Sequence, residues 1–245
     1  MKSNKIDVII VAAGKGTRMQ PYTFEKPKPL VPIQGKSLIQ HQIDAFKNLK
    51  NVDKFIIVTG YMRNSLYDEV TFKNLGLHWE KKLKFVYASN WKDSECGASM
   101  MEGIKNSKND VICIIGDTLI TQENAKLLVE NKNNCLLVRN PKPAKIGQKV
   151  RISNKFIDDI TLGGYNSYEA EAVGPFKLKF DDVIKLTDHY NYHLDEDEKL
   201  NVHCYSLLGL YVQEYKMIPL FINDDEWMEI DNQQDWELAN RYWKG

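Results

Sequence analysis

Residues 8–30 read VIIVAAGKGTRMQPYTFEKPKPL, and the rest of the chain is organised around this stretch. The apolar, β-branched run Val8, Ile9, Ile10, Val11 gives way abruptly to Ala12, Ala13 and Gly14, then to Lys15, Gly16, Thr17 and Arg18. A buried strand that ends in small residues and a cationic turn predicts a phosphate-binding loop. Small side chains let backbone N–H groups approach a polyphosphate, and Lys15 and Arg18 supply charge for an anionic ligand. Spacing excludes two other glycine loops. A P-loop needs a glycine five positions before Gly16, where Val11 stands, and a dinucleotide fingerprint needs a third glycine where Met19 stands.

The stretch continues without a gap to Leu30 as A-A-G-x-G-T-R-M-x-P-x-T-x-x-x-P-K-P-L. This string resembles the signature of the nucleotidyltransferases that join a nucleoside triphosphate to a phosphorylated acceptor, the sugar-phosphate and phosphocholine nucleotidylyltransferases. The resemblance implies that Gly14 and Gly16 wrap the triphosphate and that Arg18 and Lys28 contact its phosphates as the catalytic cations. The residues support this independently, because Pro27 and Pro29 flank Lys28 and hold its backbone extended.

The 245 residues are enough for a substantial core, and a single nucleotidyltransferase domain over 1–245 is expected. Within it, 1–139 forms a nucleotide-binding half, 140–220 adds the acceptor side, and 221–245 supplies a metal-site strand and a terminal helix. Lys plus Arg and Asp plus Glu both number 33, so no global field favours nucleic acid or an anionic membrane. The four cysteines show no C-x-x-C pair and no short zinc spacing, and Cys113 and Cys135 sit in apolar runs as core thiols. Free thiols and the absence of a signal-peptide core predict a cytoplasmic protein, monomeric or homodimeric.

Along the chain, buried strands are expected at Phe55–Val58, Phe85–Tyr87, Val111–Ile115 and Leu136–Val138. Helices are expected after Ser37 as a cap, after the Gly97-Ala98-Ser99 turn, and around Glu123–Asn131. This alternation predicts an α/β fold, a Rossmann-like three-layer sandwich with a mostly parallel mixed sheet. After Arg139 the pattern changes. A hairpin turning at Ser153-Asn154 and a strand at Ala170–Leu178 predict an antiparallel acceptor-side extension, followed by a helix from Asp181, a strand at Leu207–Val212 and a terminal helix at Gln234–Trp243. Asp195–Glu198 reads as a solvated loop.

The chemistry expected is attack of an acceptor phosphate oxygen on the α-phosphorus, with pyrophosphate leaving. Both reactants are anions, so Mg²⁺, Lys and Arg must neutralise them. Asp117 ends a strand and can bind Mg²⁺ or serve as a turn or capping residue. Glu229 and Asp231 alternate with Met228 and Ile230 and so share one face of a short strand. The segment resembles the closing E-[IV]-D-x-x-x-D motif of phosphocholine-type enzymes, which implies that Asp231, with Glu229, completes the metal site begun by Asp117. The other reading of Asp231 is an N-cap, a role Asn232 fills equally well. Asp235 reads as a solvated helix residue.

Small groups suited to reading a nucleobase are Ala12, Ala13, Thr59, Gly60, Ala98 and Ser99. In the phosphocholine-type enzymes a small residue, Ser and Met precede a helix, and Ala98, Ser99 and Met100 match. The chain lacks the long motifs of the glucose-1-phosphate enzymes, which points to CTP. The resemblance therefore implies a CTP-dependent cytidylyltransferase acting on a phosphocholine-, phosphonate- or phosphoamide-like acceptor, for surface polysaccharide decoration. Two alternatives stay open: a sugar-1-phosphate nucleotidylyltransferase using another triphosphate, and a non-catalytic nucleotide-binding protein. Trp91, Tyr165, Tyr168, Tyr190, Tyr192, Tyr211 and Trp227 are the aromatics from which a cage for a quaternary ammonium would be drawn.

Overall fold

Strand β1 (Ile6–Ala12) is buried at every position and lies between two parallel partners, as a continuous β-branched run requires. The computed structural model describes residues 5–73, 82–142, 147–162 and 167–245. The further strands are β2 (Pro32–Ile33), β3 (Lys36–Ser37), β4 (Val52–Thr59), β5 (Leu83–Tyr87), β6 (Asp110–Ile115), β7 (Thr118–Ile120), β8 (Cys135–Arg139), β9 (Gln148–Ser153), β10 (Phe156–Leu162), β11 (Ala170–Leu178), β12 (Ile218–Phe221) and β13 (Trp227–Glu229). The helices are α1 (Leu38–Phe46), α2 (Arg63–Asp68), α3 (Cys96–Ile104), α4 (Gln122–Glu130), α5 (Phe180–Tyr192), α6 (Glu196–Asn201), α7 (Cys204–Glu214) and α8 (Gln233–Tyr242).

The main sheet runs β10-β9-β11-β6-β1-β4-β5, with β8 on β11 and β12 parallel to β8. Its β6-β1-β4-β5 part is parallel, and β11 joins β6, β8 and β9 antiparallel. This is a mixed α/β fold with a central, mostly parallel sheet. Successive residues of β1 and β4 serve two cores, as the period of a strand dictates. Ile9, Val11, Ile56 and Val58 pack with Met100, Met101 and Ile104 of α3 and with Leu207, Leu208 and Tyr211 of α7. Val8, Ile10, Phe55 and Ile57 face the other way, toward Ile39, Ile43 and Phe46 of α1 and Leu128 of α4.

The hairpin β9–β10 turns through Asn154 and Lys155, both left-handed at φ 50° and 71°. This matches a two-residue mirror-image turn. Other expectations need correction. Leu207–Val212 is not a strand but the middle of α7. A short apolar run does not declare its period; here the buried positions Cys204, Leu207, Leu208, Tyr211 and Val212 recur at helical spacing, behind a His203 cap. Gly97, Ala98 and Ser99 lie inside the first turn of α3 rather than before it. Ser37 precedes α1 without a side-chain capping bond, and its hydroxyl has no hydrogen-bond partner. Helix α5 starts at Phe180, one residue before Asp181. Asp195–Glu198 is a capping box that opens α6, not a loop.

A small antiparallel pair, β7 with β13, places Glu229 opposite Thr118 and is closed by Ile230 N–H donating to the Asp117 carbonyl at 3.0 Å. This pair brings the end of the chain to the carboxyl end of β6. A third apolar cluster, including Met19, Val31, Leu38, Leu119, Ile230 and Trp243, ties the segment after Arg18 to α8.

Candidate active site

Arg18, Lys28, Asp117 and Asp231 come from three distant parts of the chain and form one ion-pair cluster. The Lys28 ammonium donates to Asp117 Oδ2 at 2.9 Å and to Asp231 Oδ1 at 3.2 Å. The Arg18 guanidinium grips Asp231 with both terminal nitrogens, at 2.9 and 3.1 Å. Lys28 is 9% exposed. Burial alone would lower its pKa, but Asp117 and then Asp231 outweigh burial and raise it, so the ammonium stays charged.

Local folding explains each position. Gly16 adopts φ 66°, and a Cβ there would stand 2.7 Å from Lys28 Cβ, so the left-handed glycine is what lets the loop lie on the lysine stem. Thr23, fully buried, donates to the Gly16 carbonyl at 2.9 Å and fixes the loop from the other side. Asn232, not Asp231, caps α8: its side chain accepts from Asp235 N–H. Asp235 closes the capping box and also accepts from Asp231 N–H at 2.9 Å, which fixes the Asp231 backbone. It is therefore more than a solvated helix residue. Glu229, at the end of β13, completes a set of three carboxylates with Asp117 and Asp231 whose oxygens lie within 4.8 Å of one another.

Two carboxylates so close would repel in the absence of a cation, which leads one to expect that neutralising either would leave the metal-free protein as stable or more so. The structure reverses that expectation. The Lys28 ammonium lies between Asp117 and Asp231 and holds them together.

A cavity of about 260 Å³ opens beside the glycine loop and is lined by Ala12, Ala13, Gly14, Gly16, Arg18, Lys28, Ser99 and Asp117 among others. Several expected nucleotide-binding residues stand elsewhere. Lys15 and Thr17 border a separate shallow depression, with the Lys15 ammonium 5.7 Å from the Tyr61 ring centre. Thr59 is buried and donates to the Val86 carbonyl, while Gly60 packs where a Cβ would strike the Ala13 carbonyl and Trp91. Ala98 lines a third depression near Tyr190. Ser94, Glu95 and Cys96 line the loop-side cavity and carried no signal in the sequence beyond their proximity to Ser99; Trp91, one of the aromatics named from the sequence, lines it with them.

A second, larger cavity of about 620 Å³ shares Arg18, Glu95, Cys96 and Asp117 with the first and reaches Arg139, Glu171, His203, Tyr205, Trp227 and Glu229. Arg139 is spoken for: it donates to Glu171 at 2.7 and 3.0 Å and lies 5.0 Å from the Trp227 ring centre. Of the seven aromatics singled out above, Trp227 lines this cavity and Tyr165 falls outside the described residues. Tyr205 lines it too; it stands two residues before the run expected as a strand and carried no signal of its own.

Residues 8–161 match the MobA-like NTP transferase domain family. The chain belongs to that family. Over its whole length it is also similar to the CTP:phosphoglutamine cytidylyltransferase of Campylobacter jejuni, 23% identical over 251 residues, covering 95% of this chain and 98% of that one. Its fold is that of the CTP:phosphocholine cytidylyltransferase of Streptococcus pneumoniae, with a TM-score of 0.76, 19% identity, and coverage of 98% and 100%. It is equally that of the inositol-1-phosphate CTP transferase of T. maritima, at TM-score 0.78, 18% identity, and coverage of 99% and 98%. The chain is thus a nucleotidyltransferase.

In this nucleotidyltransferase the wall between the two cavities carries one feature outside the carboxylate and cation set. Cys96, His203 and Cys204 lie within 4.8 Å of one another through their sulfur and ring-nitrogen atoms. The Cys204 thiol, together with His203 and against the opposing effect of burial, holds Cys96 well below the usual thiol range. Cys204 is correspondingly pushed up, and the His203 imidazole is raised by its contact with Cys96. The sequence spacing concealed this group, because Cys96 meets His203 and Cys204 only through the packing of α3 beside α7.

Proposed function

We propose that the chain transfers CMP from CTP to a small phosphorylated acceptor and releases pyrophosphate. The observation that carries this is the convergence of Arg18, Lys28, Asp117, Glu229 and Asp231 where the two cavities meet. The loop-side cavity takes the nucleotide, and the larger one takes the acceptor. An acceptor phosphate oxygen bonds to the α-phosphorus as the bond to the bridging oxygen of pyrophosphate breaks.

Asp117, Glu229 and Asp231 offer the hard oxygen donors that Mg²⁺ selects, with room for phosphate and water ligands, and they are the residues that would hold it. Bound there, Mg²⁺ supplies charge neutralisation of the transferring phosphates. The protein's own groups do the rest. Lys28, fixed by Gly16 packing and two carboxylates, presents a permanent charge at the boundary between nucleotide and acceptor. Arg18, whose side chain is 71% exposed, has the freedom to exchange Asp231 for a phosphate and the fork geometry to grip one. Ala12, Ala13 and Ser99 leave space for an edge-on base. A binding module has no need of these carboxylates beside these cations.

The larger cavity is acidic. Glu95, Glu229 and Asp235 face it, while its Arg139 is neutralised by Glu171. This supports an acceptor whose end remote from phosphate is cationic or amide-like, such as a phosphorylated amino alcohol, a phosphonate or a phosphoamide. Cytidine is supported by the whole-length likeness to a CTP-dependent relative. Surface polysaccharide decoration is the use that this product class implies.

Pyrophosphate release across four nucleoside triphosphates and a panel of phosphorylated acceptors tests the proposal. CTP with a zwitterionic phospho-amine or phosphoamide should turn over fastest. Preference for another triphosphate with a sugar 1-phosphate would replace this reading, and binding of a triphosphate without turnover on any acceptor would make the chain a binding protein.

A further inference from the structure

We infer that Cys96, His203 and Cys204 form a binding site for one Zn²⁺ ion in the wall between the two cavities, separate from the three carboxylates. Cys96 is the first residue of α3 and Cys204 the first of α7, and the two helices begin side by side. Gly97 makes this possible: its N–H donates to the Val202 carbonyl at 3.1 Å, and a Cβ there would stand 2.4 Å from that oxygen. The approach is close enough that Cys204 N–H donates to Cys96 Sγ at 3.4 Å.

The donor atoms already have nearly the spacing that zinc requires. Tetrahedral bonds of about 2.3 Å to sulfur and about 2.0 Å to nitrogen place sulfur and nitrogen roughly 3.6 Å apart, and two sulfurs roughly 3.8 Å apart. Cys204 Sγ and His203 Nδ1 are 3.8 Å apart, and all three donors lie within 4.8 Å of one another. His203 Nδ1 also accepts from Tyr205 N–H at 3.4 Å, a long hydrogen bond that a metal ion can replace at small cost.

Donor chemistry separates this site from the other one. Two thiolates and an imidazole select zinc and reject Mg²⁺, whereas Asp117, Glu229 and Asp231 do the reverse. Binding releases the thiol protons to solvent, and the two sulfur charges balance the ion. Cys96 and His203 line the larger cavity while Cys204 is buried behind them, so the fourth position faces the cavity and takes water or a substrate oxygen.

Cobalt is the probe, because a tetrahedral Co²⁺–thiolate centre has intense visible bands and a near-ultraviolet charge-transfer band. The full chain, reduced and held in excess Mg²⁺, is titrated with Co²⁺ and then with Zn²⁺. One equivalent of Co²⁺ should produce the tetrahedral thiolate spectrum, and Zn²⁺ should abolish it. Cys96→Ser and Cys204→Ser should each lose the charge-transfer band, while Cys135→Ala and Asp117→Asn should keep it. Retention in Asp117→Asn makes the result independent of whether the carboxylates bind Mg²⁺ or the chain turns over CTP. The wild-type titration stands whether or not a serine variant folds. A reduced wild-type chain that gives no cobalt–thiolate band, or a band that survives Cys96→Ser, overturns the assignment.

Discussion

Arg18 and Asp231 are separated by 213 positions in sequence and meet through two parallel hydrogen bonds, with one terminal nitrogen of the guanidinium on each carboxylate oxygen. The Arg18 side chain is 71% exposed and Asp231 26%, so the pair adds little to stability, at most about 1 kcal/mol. Its value lies in where it holds the fork.

Arg18→Lys keeps the charge and loses the fork. Thermal unfolding should be unchanged within a degree or two, while KM for the triphosphate rises about tenfold through loss of two-pronged phosphate recognition. Steady-state kinetics at fixed acceptor, with unfolding curves of the same samples, checks this. A lysine enzyme with the original KM would remove Arg18 from the phosphates.

The second prediction concerns Asp117→Asn and Asp231→Asn. Each should abolish most turnover at ordinary Mg²⁺, and each should also destabilise the metal-free protein by on the order of 1–3 kcal/mol. The destabilisation arises because Lys28, whose side chain is 11% exposed, loses one of its two counter-charges. Water reaches both carboxylates, at 18% and 26%, so the loss is smaller than for a fully buried pair. The Lys28 pKa is raised in the folded state, so its contribution is complete below the unfolded value near about 10.4 and disappears only as pH rises through the folded value. Unfolding at pH 7 therefore reads it in full. An Asp231→Asn protein with unaltered stability and near-normal turnover would show that the carboxylate neither pairs with Lys28 in solution nor serves the reaction.

Lys28→Met tests the same cluster from the other side. It keeps the stem that packs on Gly16 and removes only the ammonium. Turnover should fall by on the order of a hundredfold or more. Apo stability should fall as well, because Asp117, Asp231 and Glu229 then face one another without the ammonium, and added Mg²⁺ should recover part of that loss. Unfolding with and without Mg²⁺ separates the two effects. Identical curves in the variant would mean that these carboxylates do not bind the ion.

How much of this was legible in the sequence follows from range. The run Val8–Val11 and the small residues after it are local signals, and strand β1 and the glycine loop stand where those signals put them; Lys28, read as extended between its two prolines, instead opens a single 3-10 turn over Lys28–Leu30, with only Pro27 before it extended. Asp231 carried a local ambiguity between cap and site, and Asn232 takes the cap. What could not be read depends on helices that pack side by side. The apolar run at Leu207–Val212 reads as strand or helix until its burial pattern is known. With it was hidden the proximity of Cys96 to Cys204. Thr59 and Gly60, expected beside the nucleobase, also serve close packing, because small residues at a strand end can do so: one bonds Val86 and the other accommodates Trp91.

The last prediction is a pH dependence. Cys135, at the start of β8 and fully buried, is pushed up to about 12 by burial, only partly opposed by Lys177, and burial raises Cys113 in β6 as well. An unfolded thiol titrates near about 8.5. Between that value and the folded one, the unfolded chain has released protons that the native chain keeps, so stability must fall as pH rises, by about 1.4 kcal/mol per pH unit for each thiol. The contribution is complete below pH 8.5 and declines above it. Urea unfolding of the wild type at pH 8.0, 9.5 and 10.5 should show this limb, and a Cys113→Ala/Cys135→Ala double variant should show a shallower one, even though its overall stability is lower through the lost sulfur packing. Equal slopes in the two proteins would mean that both thiols ionise in the native state, and alkylation by iodoacetamide without unfolding would then be measurable at the same pH.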